Sequence, residues 1–215
     1  LLDEELTALS KVKENAKSSV AVLGGAKIST KLSLIDSLSK TVDKVILGGG
    51  IANTCLAAKG YEVGKSLIEE SMLEEAKELA ANPKIVIPES VIVSISADEP
   101  GRITPANSIQ ENEAIFDIAP ASFVDLEPII MNAGTILWNG PIGFFEKENF
   151  FAGTAMIAEM IISSKGFSVA GGGDTISAAE KAGVLDSLDY VSTAGGAFLE
   201  FMEGKKLPAL EALID

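Results

Sequence analysis

The chain has 215 residues, 47% hydrophobic and 22% charged, with a formal net charge of −14 and a pI near 4.4. That size and apolar content suit one large α/β domain, and the negative charge excludes general attraction to nucleic acid or to an anionic membrane surface. Its single cysteine, Cys55, rules out an internal disulfide. The absence of histidine rules out imidazole bases and His metal sites, and a lone arginine, Arg102, rules out a guanidinium cluster for anions.

The opening Leu1-Leu2-Asp3-Glu4-Glu5-Leu6 reads as the inside of an amphipathic helix, so the chain is expected to be a piece of a longer protein. Residues 20–23 read as a buried strand and 28–40 as a helix, with Leu32, Ile35 and Leu38 at helical spacing. A strand over 45–47 and a helix over 51–59 follow, the latter stopped by Gly60 in a C-terminal capping position. Cys55 falls on that helix, and its plain reading is a small apolar side chain. Residues 68–81 form a further helix with Glu69 and Glu70 early, as its dipole favours. Runs 85–87 and 91–93 read as strands separated by Pro88. Residues 97–113, with Pro100, Gly101 and Pro105, read as a surface excursion. A helix is expected between 121 and 132, kinked or started by Pro128. Strand 135–138, helix 151–164, strand 167–170, helix 175–181, strand 190–192 and helix 197–203 complete the chain. This alternation predicts a three-layer α/β/α fold, Rossmann-like, with a parallel sheet of about six strands. No apolar run approaches membrane-spanning length.

Five glycine clusters each follow an apolar run: Gly24-Gly25, Gly48-Gly49-Gly50, Gly140 with Gly143, Gly171-Gly172-Gly173, and Gly195-Gly196. Together they suggest one rim of a parallel sheet, where open α/β folds bind ligands. In the sharpest, Gly171-Gly172-Gly173-Asp174-Thr175, backbone amides at a helix start can hold phosphate, and Asp174 can hold Mg²⁺ beside it; it can equally be a tight turn capped by Asp174. Gly24-Gly25-Ala26 leads into Lys27 and Lys31, which share a face if a helix starts near Lys27. Two ammonium groups there oppose the helix dipole unless a polyanion joins them. Gly48 to Asn53 nearly matches a dinucleotide fingerprint, but Asn53 replaces the third small residue. Trp138-Asn139-Gly140-Pro141 leads to aromatics and Glu146, a carboxylate suited to ribose hydroxyls or to bare solvent. Ser192-Thr193-Ala194-Gly195-Gly196 puts hydroxyls and glycines at another helix start. Gly60 to Ser66 imitates a P-loop but has three residues between its glycines where four are required, which leaves Lys65 a surface lysine.

In this order, residues 23–31, Gly48-Gly49-Gly50, 61–67, 138–146, 171–175 and 192–204 resemble the C-terminal, nucleotide-binding half of the phosphoglycerate kinase family. That family transfers a phosphoryl group between 1,3-bisphosphoglycerate and ADP, giving ATP and 3-phosphoglycerate. The resemblance implies that Lys31 contacts the nucleotide phosphates, with Lys27 near the phosphoryl group in flight. It implies an adenine pocket from Gly48, Gly49 and Gly50 with Ala119 beside it, ribose held by Glu146, Mg²⁺ with ADP or ATP on Asp174, and phosphate at Gly171 to Thr175. Gly24, Gly25, Ala26, Asn139 and Pro141 complete the nucleotide-binding set, and Gly195 and Gly196 face the substrate phosphate. Thr30, Ala194 and Ala119 depart from the family pattern. Residues 1–15 would be the remnant of an interdomain helix and 16–215 the nucleotide-binding domain. The partners expected are ADP or ATP and a missing triose-binding N-terminal domain, in a cytoplasmic monomer. An NAD-binding oxidoreductase domain and a non-catalytic module whose glycines serve packing stand as alternatives.

Overall fold

The computed structural model describes residues 18–192. The expected interdomain remnant and the helix over 197–203 lie outside the described residues. Strands β1 (Ser19–Leu23), β2 (Lys44–Leu47), β3 (Ile85–Val86), β7 (Thr135–Asn139), β8 (Phe167–Gly171) and β9 (Tyr190–Ser192) form one parallel sheet of order β3-β2-β1-β7-β8-β9. Parallel strands buried on both faces need apolar residues at successive positions, and Val20-Ala21-Val22-Leu23 supplies them at no more than 4% exposure.

Alternate residues of each strand face opposite helical layers. Ala21, Leu23, Val45 and Leu47 pack under α1 (Leu32–Thr41), α2 (Gly49–Ala58) and α3 (Leu73–Ala81). Val20, Val22, Ile46 and Trp138 pack under α4 (Phe123–Met131), α5 (Ala152–Ser163) and α6 (Gly173–Ala182). Leu34, Ile35 and Leu38 of α1 are essentially fully buried, each contributing up to about 1.5–3 kcal/mol against exposure. The three-layer expectation of six parallel strands is the observed fold.

Gly60 ends α2 as expected, at φ 87°, with its N–H donating to the Ala57 carbonyl and the Tyr61 N–H to that of Leu56. Pro128 neither starts nor ends α4. Its missing N–H would have bonded the carbonyl of Val124, a residue 74% exposed, where solvent reaches the freed group.

Three expectations need correction. Residues 91–93 are not part of the parallel sheet. They belong to β4 (Ser90–Ser94), the centre of a separate antiparallel sheet of order β5-β4-β6 with β5 (Arg102–Pro105) and β6 (Ala114–Ile118). The supposed excursion over 97–113 thus contains a strand, and Pro88 marks the crossing between two sheets. Helix α1 starts at Leu32 rather than near Lys27, because residues 28–31 form a turn closed by the Lys31 N–H on the Ile28 carbonyl. Helix α3 starts at Leu73 after a 3-10 turn, with Glu74 and Glu75, not Glu69 and Glu70, in its first turn.

Candidate functional site

Chain order runs β1-β2-β3 toward one edge and β7-β8-β9 toward the other, so it reverses between β1 and β7. Open α/β sheets hold ligands in the crevice beyond the carboxyl ends of the strands at such a reversal. Here the β1 and β7 exits almost touch. A Cβ on Gly24 would lie 1.7 Å from the Pro141 carbonyl oxygen, which only glycine permits, and the Gly24 N–H donates to the Asn139 carbonyl at 3.0 Å.

A cavity of about 690 Å³ opens above this junction and reaches the exits of β1, β2, β7 and β8 and the inner side of β6. Lys31 enters it from the N-terminus of α1. Its ammonium donates to the carbonyls of Gly24 and of Asn139, the latter at 2.9 Å, and an ammonium has a third proton to give a ligand. Burial pushes its pKa down to about 8, against an opposing pull from the carboxylate of Asp174. Asp174 lies exposed in the first turn of α6. The first bond of that turn runs from the Ile176 N–H to the Gly172 carbonyl, so the amides of Gly173, Asp174 and Thr175 precede the helical ladder and are open to an anion. Gly172 turns the chain into α6 at φ 98°, in the left-handed half of backbone space.

The Thr175 hydroxyl is occupied: it donates to the Gly171 carbonyl and accepts from the Gly140 N–H, both at 2.7 Å, bracing the β8 exit against the β7 exit. Asn139 is 3% exposed. Its Nδ2 donates to the Gly171 carbonyl at 2.6 Å, and its Oδ1 is a buried acceptor without a partner among the described residues.

Of the residues singled out from the sequence, Gly24, Gly25, Ala26, Lys31, Gly49 and Gly50 line the cavity from one side. Asn139, Pro141, Glu146, Gly172, Gly173, Asp174 and Thr175 line it from the other. Four do not line it. Lys27 is exposed and lies outside α1, so it shares no helix face with Lys31. Gly48 packs against Ile142, whose Cδ1 would stand 2.5 Å from an added Cβ. Ala119 is fully buried, and Gly171 ends β8 beneath the rim. Gly195 and Gly196, with Thr193 and Ala194, lie outside the described residues.

Sequence reasoning missed other lining residues: Lys65, Thr30, Leu56 and the β6 run from Ala114 to Ile118. Lys65 is exposed, as expected of a surface lysine, yet it stands at the mouth of the cavity. Asp117 is 2% exposed and accepts from the N–H of Gly153 at 2.7 Å and of Ile118 at 2.9 Å; burial nevertheless pushes its pKa up to about 7. A carboxylate inside an apolar strand was the available signal. Cys55 is buried and its thiol pushed up to about 12, which leaves it inert.

The phosphoglycerate kinase family profile matches residues 1–205. The chain belongs to the phosphoglycerate kinase family. It is 51% identical over 216 residues to the phosphoglycerate kinases of two Haemophilus influenzae strains, PittGG and KW20/Rd, covering 99% of this chain and 56% of each relative. Among solved structures, phosphoglycerate kinase from Coxiella burnetii aligns at a TM-score of 0.94 with 47% identity, over 99% of this chain and 57% of that one. The Pyrococcus horikoshii OT3 enzyme aligns at 0.86 with 31% identity, over 100% and 56%. The chain therefore spans little more than half the length of the relatives it matches.

The donor set suits Mg²⁺ carried by a polyphosphate. Among the described residues no three of His, Cys, Asp and Glu converge on a metal position. Asp174 would hold the ion together with phosphate oxygens, the mode in which this cation keeps several waters.

Proposed function

We propose that the chain is the nucleotide-binding half of a phosphotransferase acting between 1,3-bisphosphoglycerate and ADP, giving ATP and 3-phosphoglycerate. The observation that carries this reading is the convergence of Lys31, Asp174 and the leading amides of α6 on one cavity at the sheet's reversal point. Phosphoryl transfer asks for positioning and charge neutralisation more than for a proton-transfer base, so a half without histidine can serve it. Lys31 neutralises charge on the phosphates, the α6 amides orient their oxygens, and Glu146 accepts from the ribose hydroxyls. The apolar wall of Leu56, Val91 and Ile115 receives the base. Mg²⁺ on Asp174, when bound with the nucleotide, neutralises negative charge on the phosphates. The triose substrate is assigned to the part of the family protein this chain does not span, and the whole enzyme to the cytoplasm.

Calorimetric titration with MgADP tests the site. The chain should bind it in preference to NAD, and Asp174→Ala should weaken MgADP while leaving metal-free ADP nearly unchanged. Selective NAD binding, or no response to Asp174→Ala, overturns the assignment. Kinase turnover should stay at background until the missing half is added, and appreciable turnover by this chain alone would refute that division of roles.

A further inference from the structure

Glu146, the carboxylate assigned to ribose, stands on a β-turn. Phe144 to Lys147 is closed by the Lys147 N–H on the Phe144 carbonyl at 3.0 Å, which makes Phe145 and Glu146 the central residues. The peptide between them takes no part in that closing bond. It is the unit whose rotation interconverts type I and type II turns, reversing its carbonyl and changing φ of the second central residue, Glu146. Type II needs positive φ at that residue. Among the described residues Ser18 is the only non-glycine with positive φ, so Glu146 is in the other state.

One side chain grips this peptide. The ammonium of Lys181 donates to the Phe145 carbonyl at 2.7 Å, sits 4.4 Å above the centre of the Phe151 ring, and lies 3.3 Å from Glu148 Oε2. Lys181 belongs to α6, seven residues after Asp174. Two turns of helix bring residue i+7 back to the face of residue i, about 10 Å along the axis. One rigid helix thus carries Asp174 at its start and a clamp on the Glu146 turn near its end. We propose that Lys181 is a positioning residue for ribose recognition: by holding the Phe145–Glu146 peptide it fixes the Glu146 carboxylate at a set distance from the phosphate end of the site. This rests on the nucleotide reading above, in which Glu146 takes the ribose.

A merely structural lysine would weaken every ligand alike; a positioning lysine changes only what Glu146 reads. The test compares MgADP with Mg-2′,3′-dideoxyADP by calorimetry on the full 215-residue chain, for wild type, Glu146→Gln and Lys181→Met. Wild type should prefer ADP by about tenfold, the scale of a hydrogen bond to a charged acceptor. Glu146→Gln should erase most of that preference. Lys181→Met should reduce it to about twofold with dideoxyADP affinity unchanged, and the double variant should lose no more than Glu146→Gln alone. Lys181→Gln, whose shorter arm cannot span to Phe145, repeats the measurement should the methionine variant fold poorly. If wild type shows no preference, or Glu146→Gln keeps it, the ribose reading itself fails. If those two behave as expected and both Lys181 variants retain the full preference, or lose both ligands equally, the clamp is refuted while the site reading stands.

Discussion

Replacing Lys31 by methionine removes a charge while keeping most of the side-chain volume. In the ligand-free protein, burial holds the Lys31 pKa down to about 8, despite the pull of Asp174. The ammonium is therefore about nine-tenths protonated at pH 7 and about one-tenth at pH 9. Binding of a polyphosphate needs the charged form, so the Lys31 contribution to MgADP affinity should fall about tenfold between pH 7 and 9. Bound phosphate raises the lysine's pKa, and the decline ends only where that higher value is reached. Lys31→Met should flatten this profile and weaken binding at pH 7 by about 10- to 100-fold, the range for a hydrogen bond to a charged group. Calorimetry at half-unit pH steps on both proteins is the assay. The thiol of Cys55, pushed up to about 12, stays outside the window, while Asp117, on the cavity wall with its pKa pushed up to about 7, titrates inside it in both proteins, so the difference between the two profiles is what reports Lys31. A wild-type profile level from pH 7 to 9, or a variant as steep as wild type, would refute the reasoning.

Gly24→Ala should cost about 1–3 kcal/mol in urea unfolding and abolish MgADP binding, because its Cβ would force the Pro141 carbonyl away and pull apart the two carbonyls that hold Lys31; a variant binding normally would show the exits are not rigid. Asp117 gives a stability signature. Its folded pKa, about 7, lies above the unfolded value near 3.8, so the folded state binds more protons between those values and stability from this group declines as pH rises through them. Asp117→Asn lacks the titration. Its destabilisation should shrink by about 2 kcal/mol from pH 5 to 7, and a pH-independent difference would mean Asp117 is ionised throughout.

The parallel sheet was legible because each strand is a short apolar run closed by glycine, a pattern that burial on both faces imposes. The antiparallel sheet was not. In β5 only Thr104 is buried, while Arg102, Ile103 and Pro105 face solvent, so neither alternation nor an apolar run appears there. In β6 the buried carboxylate of Asp117 disguises the strand, and its hydrogen-bond partner, Gly153, is remote in sequence. The phosphate end of the site could be read from Gly171 to Thr175 and Lys31, since a helix start announces its own free amides. Lys27 could not be placed, because whether it shares a face with Lys31 depends on where a helix begins to within one turn. Lys65 reaches the cavity and Lys181 the Phe145 carbonyl through folds of the chain that bring distant segments together, and no local spacing signals them.

The seam between β1 and β7 sets Val20 beside Ile136, partners from distant stretches of the polypeptide. Closing so long a loop is slow and entropically costly, and the cradle for Lys31 exists only after it closes. Competence for nucleotide thus depends on a long-range pairing that no local segment can supply by itself. A ligand present during refolding favours the finished seam by mass action without hastening the search that finds it.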